Sequence, residues 1–188
     1  MKKNKFIIWS ATIMAVLTLV TSCINNNKSK TMNSINQKIT PCLWVEKDAK
    51  AVAEYYLSIF KGGKLKDFRK FSNEESGNDA GLETAVIEIA GMEFSILAAG
   101  PLFKFNEATS FVVNCKDQNE VDYYWEALTA NGGEESSCGW CKDKYGLSWQ
   151  VVPTEYFELI HSTDTTVRNK AMRNTLKQKK LILEDLKK

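Results

Sequence analysis

One pattern is spelled out twice along this chain. An apolar stretch, Ile39-Thr40-Pro41-Cys42-Leu43-Trp44-Val45, leads to Asp48, then to a helical run containing Tyr55-Tyr56, and stops at Gly62-Gly63. The same order returns as Thr109-Ser110-Phe111-Val112-Val113-Asn114-Cys115, Asp117, Tyr123-Tyr124 and Gly132-Gly133. A unit of this size cannot bury its own apolar face and must pack on its copy. The functional site is therefore expected between the two units.

Within each unit the periodicity is readable. Asp48 starts a helix on which Val52, Tyr56 and Ile59 share a face, and Gly62-Gly63 ends it. Asp117 with Glu120 three residues on makes a start like a capping box, and Val121, Tyr124 and Leu128 form that helix's stripe. Leu65 to Phe71 reads as a strand, and Leu82 to Ala98 as two strands about the turn at Ala90-Gly91. Asn73 to Gly81 reads as a mobile loop. Ser136 to Cys141 and Leu147 to Val152 read as strands, so the second unit has at least two after its helix. Thr163 to Lys188 is predicted as one long amphipathic helix striped by Val167, Ala171, Met172, Leu176, Leu183 and Leu186.

The front of the chain has a different character. Lys2, Lys3 and Lys5 precede a weakly polar run from Phe6 to Val20 that is short for a membrane span, which is the layout of an export signal. It ends in Leu19-Val20-Thr21-Ser22-Cys23, which resembles a bacterial lipobox. That resemblance implies residues 1–22 as signal peptide, lipidation of Cys23, and residues 23–37 as a polar tether spanning about 20 Å. Cys23 is followed by Ile24 rather than aspartate, so the outer membrane is the expected destination in a Gram-negative cell. Loss of the three leading lysines would leave 22 basic against 23 acidic residues. Nucleic-acid binding, which needs a clustered basic face, thereby loses its electrostatic support.

The segments Ile39 to Trp44, Gly100-Pro101-Leu102-Phe103-Lys104-Phe105-Asn106-Glu107-Ala108, Ser110 to Cys115, Val121 to Trp125 and Cys138 to Pro153 together resemble the vicinal oxygen chelate superfamily. The match is to its PhnB-like, demethylubiquinone methyltransferase-like branch and runs from about Ile39 onward. The resemblance implies an α+β fold: paired βαβββ modules, about 38–100 and 108–153, forming an open cup-shaped mixed sheet within a domain spanning 38–188. Relatives commonly complete the cup by dimerising, and the second module reads as one strand short, so a homodimer is expected.

Catalytic members of that superfamily hold a metal with His, Gln and Glu on inward strand positions. This chain has a single histidine, His161, beyond the last strand. Only Glu88 and Gln150 stand near the implied positions as donors, too few for a transition metal. No metal and no cofactor are expected. The glycine pairs end helices rather than begin them, so no glycine-rich nucleotide loop is evident.

Cys138-Gly139-Trp140-Cys141 spells CxxC, but on an extended strand those thiols face opposite sides beyond disulfide reach. Four free thiols are expected, unless the segment turns at Gly139. Lys142 with Asp143 reads as a surface turn. Phe103, Phe105, Trp140, Tyr145 and Trp149 gather around the expected mouth of the cup, with Asn106, Ser110 and Gln150 as orienting polar groups, the composition of a ligand pocket. The expected function is an envelope-anchored protein binding a small hydrophobic or aromatic molecule in a metal-free cup. The alternative is an enzyme of the superfamily using a carboxylate acid or base, for which Glu88 and Glu107 are the candidates if an apolar wall raises their pKa. An interaction module within an envelope complex is the third reading.

Overall fold

The computed structural model describes residues 37–77 and 81–188. The expected signal peptide, the expected lipidation site Cys23 and all but the last residue of the expected tether lie outside the described residues. Among the described residues no helix is long and apolar enough to cross a membrane.

Residues from Ile39 onward form one compact unit built of two modules with the same order of elements. The first runs β1 (Cys42–Val45), α1 (Ala49–Ile59), β2 (Lys64–Phe71), a short α2 (Asn73–Ser76), β3 (Leu82–Ile89) and β4 (Met92–Ala98). The second runs β5 (Ser110–Cys115), α3 (Gln118–Thr129), β6 (Glu134–Glu135), β7 (Trp140–Lys142) and β8 (Ser148–Pro153). Each module makes a four-stranded sheet, in order β1-β4-β3-β2 and β5-β8-β7-β6. β1 lies parallel to β4, and β5 parallel to β8, while the other pairings are antiparallel. This is the α+β arrangement of paired βαβββ modules with open sheets.

The helix starts form as their chemistry requires. Asp48 accepts from the Ala51 N–H, and Asp117 from the Glu120 N–H, each satisfying an orphan donor of the first turn. Glu120 reaches back to the Lys116 N–H, one residue before the cap. On α1, Val52, Tyr56 and Ile59 are buried as their spacing predicts. On α3 the buried stripe is Val121, Trp125 and Leu128, with Tyr124 only half-buried. One core joins both modules: Phe94 meets Phe111 edge-on at 5.1 Å, and Trp149 lies 5.3 Å from Phe60.

Four expectations are corrected. The second module is not a strand short, because β6 pairs Glu134 with Lys142 and Glu135 with Cys141; two residues are too few to show a periodicity. Residues Asn73–Ser76 are a helical turn, not loop, closed by a capping box between Ser72 and Glu75. Residues 136–139 are not strand. After α4 (Thr154–Ile160), the stretch from Thr163 to Lys188 is not one helix but two, α5 (Thr165–Thr175) and α6 (Leu183–Leu186), folded so that Leu181 and Leu186 are buried with Val152.

Candidate functional site

Alternation along the second sheet separates two faces. Phe111, Val113 and Cys115 of β5, Cys141 of β7, and Trp149 and Val151 of β8 belong to the core. The other face carries Ser110, Val112, Trp140, Lys142, Ser148 and Gln150. Trp140 sits opposite Gln150, and Lys142 opposite Ser148, in the β7–β8 register. Ser110 and Gln150 are tied directly, Gln150 Nε2 donating to Ser110 Oγ at 2.9 Å. Val112 on the same face is 43% exposed, so among the described residues this part of the face is open.

At one side of this face lies a cleft of about 440 Å³ walled by Trp140, Lys142, Ser148, Glu107 and the 136–138 turn. Ser148 is 1% exposed, yet its hydroxyl has no hydrogen-bond partner. Leaving a buried hydroxyl unpaired costs about 1–3 kcal/mol. Ser148 was not singled out by the sequence; a serine on a predicted strand carries no signal until its register is known.

The turn that walls the cleft is shaped by left-handed backbone at Cys138 (φ 61°) and Gly139 (φ 82°). A Cβ at Gly139 would stand 3.0 Å from the Val151 carbonyl oxygen and 3.1 Å from Leu181 Cδ1. The turn is gripped from outside, the Cys138 and Gly139 N–H groups each donating at 2.7 Å to the carbonyls of Gln178 and Lys179. The extended reading of Cys138 to Cys141 is thereby overturned. Cys42, Cys115, Cys138 and Cys141 are free thiols, and burial pushes Cys115 and Cys141 up to about 12.

The remaining predicted site residues scatter. Trp149 points the opposite way from Gln150, as neighbours on a strand must, and is a core residue at 3% exposure. Its indole N–H donates to Asp143 at 2.9 Å. Phe103 and Phe105 line a different cleft together with Tyr145. Asn106 is exposed and accepts from the Ala108 N–H, shaping the linker turn. Glu88 is ion-paired with Lys66 at 3.0 Å on the first sheet, and that hydrogen bond lowers its pKa. Glu107 is held below the usual carboxylate range by its hydrogen bond to Lys142. Both shifts run opposite to what a general acid at neutral pH requires. Asp143 is no surface turn residue, being 2% exposed. It accepts from the Tyr56 hydroxyl and the Trp149 indole, each at 2.9 Å.

A metal of the kind implied by the superfamily does not fit this donor set. Ser110 and Gln150 offer neutral groups already bonded to one another, Glu88 stands on the other sheet, and His161 is exposed at the end of α4. Among the described residues no three His, Cys, Asp or Glu side chains converge. The strand-to-helix connections before α1 and α3, Glu46-Lys47-Asp48 and Lys116-Asp117, hold no glycine, and so offer no glycine-rich cradle for a nucleotide.

The family model described as 3-demethylubiquinone-9 3-methyltransferase matches residues 37–152. A solved Bacillus cereus PhnB protein, described as of the 3-demethylubiquinone-9 3-methyltransferase type, is 27% identical with a TM-score of 0.55, covering 62% of this chain and 99% of its own. A Pseudomonas aeruginosa protein is 17% identical with a TM-score of 0.48, covering 62% and 97%. The fosfomycin resistance protein FosX of Listeria monocytogenes, solved with Mn(II), is 16% identical with a TM-score of 0.45, covering 62% and 91%. No curated protein matches. With the modules, their order and the matched span in agreement, the chain belongs to the PhnB-like 3-demethylubiquinone-9 3-methyltransferase family of the vicinal oxygen chelate fold.

Proposed function

We propose that this protein is an envelope-anchored binding protein that holds a small molecule, without a metal, on the open face of the second sheet. The observation that carries the reading is Ser148: a buried hydroxyl left unpaired in the wall of a cleft is a cost that a guest's polar group would remove. Trp140 supplies a flat apolar wall, while Ser110 and Gln150 supply hydrogen-bonding groups beside it. A guest with an aromatic or hydrophobic body and at least one hydrogen-bonding group suits that lining.

The test exploits the asymmetry between an empty and a filled cleft. Ser148→Ala removes an unsatisfied group, so the melting temperature of the empty protein should stay level or rise. Ligands found by thermal-shift screening of small phenols and aromatic amides should bind the variant about tenfold more weakly, equal to one lost hydrogen bond of about 1.4 kcal/mol. A variant that is destabilised when empty, or that binds every hit as well as the parent, would remove the reading.

Two further parts of the proposal concern the setting. The lipobox-like ending implies a thioether-linked diacylglyceryl group on Cys23, so Cys23→Ser should move the protein from the membrane fraction to the soluble fraction. The open sheet faces and the unpaired edges of β1 and β5 suit a cup closed by a second copy. Sedimentation of a soluble fragment from Met32 onward should show a dimer, and a concentration-independent monomer would count against it.

A further inference from the structure

A second cleft, of about 280 Å³, lies where the end of β1 meets the linker after β4 and the turn between β7 and β8. Trp44, Phe103, Phe105 and Tyr145 form its walls, with Lys104 and Lys144 as the basic groups and Glu46 as the acid. None of these residues lines the cleft on the second sheet, so the two sites stand or fall separately.

The walls are fixed in place. The Trp44 indole N–H donates to the Gly100 carbonyl at 2.8 Å, and Phe103 packs edge-on against that ring at 4.9 Å and 79°. Phe103 is nevertheless 59% exposed, so an aromatic surface is presented to solvent on a pinned support. The cations are the other half of the site. Lys144 Nζ rests over the rings of Tyr55 and Tyr145, 4.5 and 5.1 Å from their centres. Among the described residues neither Lys104 nor Lys144 has an ion-pair partner, whereas Lys66, Lys70 and Lys142 are each matched to carboxylates. Two unmatched ammonium groups against the single carboxylate of Glu46 leave the cleft net positive. Pinned aromatic surface supplies stacking area at little entropic cost, and unmatched cations beside it select a negative charge.

We propose that this cleft binds a small aromatic anion, a one- or two-ring carboxylate, with its ring against Trp44 and Phe103 and its charge on Lys104 and Lys144. The volume is small for a ligand pocket, which excludes a nucleotide or a long acyl chain as the whole guest.

The experiment is calorimetric titration of the full chain with 2-naphthoate, with neutral 2-naphthalenemethanol as the uncharged counterpart. Saturable 1:1 binding of the acid is expected, weakening as salt is raised. Replacing both cations, Lys104→Ala with Lys144→Ala, should weaken the acid at least tenfold and bring it level with the alcohol. Ser148→Ala should leave the acid's affinity unchanged. Equal affinity of acid and alcohol for the parent, or unchanged binding of the acid in the double lysine variant, would overturn the assignment. Absence of saturable binding by the parent would overturn it as well. Loss of binding in Ser148→Ala would place the acid at the other cleft, with the same result.

Discussion

Asp143 shows how much one residue decides here. Its Oδ2 accepts from Tyr56 of α1 and Trp149 of β8, and its Oδ1 from the Tyr145 and Leu147 N–H groups at 2.8 and 3.2 Å. One carboxylate thus ties the first module's helix to the second module's sheet. Asp143→Ala should cost about 3–5 kcal/mol, because it strands buried donors that have no other acceptor, and chemical denaturation would read the loss. Burial nonetheless outweighs the four donors and raises its pKa above the ordinary 3.8. A raised carboxyl pKa means that the folded state holds its proton more tightly than the unfolded chain. The Asp143 contribution to stability therefore falls as pH rises from the ordinary value through the folded one. Glu75, Glu88, Glu107, Asp122 and Glu135 run the other way, lowered by their hydrogen bonds and ion pairs. Their contribution is present above the ordinary carboxylate range and lost as pH falls below it, and as all five are at least partly exposed it should shrink in about 1 M salt, where the Debye length is about 3 Å. Unfolding midpoints across acid pH should then show a salt-sensitive fall towards low pH, steeper in Asp143→Asn than in the parent. Local pattern could not reveal Asp143, since a charged pair between two short strands looks like a surface turn and its partner Tyr56 is 87 positions away. Trp149 parts from Gln150 for a related reason: adjacent residues on a strand point to opposite faces, and the register decides that Gln150 faces outward while Trp149 enters the core.

Elements explain why the repeat ends each time in two glycines. A Cβ at Gly63 would stand 3.0 Å from the carbonyl oxygens of both Glu88 and Phe60. One at Gly133 would come within 2.3 Å of the Leu128 carbonyl oxygen and 2.7 Å of that of Lys142. In both modules the chain leaves its helix pressed against the sheet it is about to join. Gly133→Ala should therefore be far more damaging than Gly62→Ala, where a Cβ meets nothing within 4 Å and only the left-handed backbone costs about 1–2 kcal/mol; comparing the two melting temperatures checks this. The helices and most strands were legible because their apolar spacing is regular and their caps are standard polar residues. The tail was not, because its stripe continues across a break. After α5 the chain leaves the helix through turns, and Gln118 brackets it by donating to the Leu181 carbonyl at 3.1 Å and accepting from the Leu183 N–H at 2.8 Å. Removing residues 177–188 would free the turn that walls the cleft, and faster amide exchange at Cys138 and Gly139 is the expected result.

At the scale of the whole molecule, two copies of one unit share a core while each turns a sheet face outward. That much was legible from the repeat, since two units too small to fold alone have to share their apolar faces. Where a guest would sit was legible only in part. Ser110, Trp140 and Gln150 do come together on the second sheet, but Phe103 and Phe105 belong to a separate cleft. The loop that carries them lies between the end of β1 and the β7–β8 turn, and its own sequence does not say where it lands. The central claim is that the second sheet's cleft holds a small organic guest without a metal, and native mass spectrometry of the protein purified from its own host, with metal analysis of the same sample, tests it most directly. The account predicts a bound organic mass with no stoichiometric metal, and loss of that mass in Gln150→Ala. A chain that carries a stoichiometric transition metal, or that always emerges bare, would contradict it.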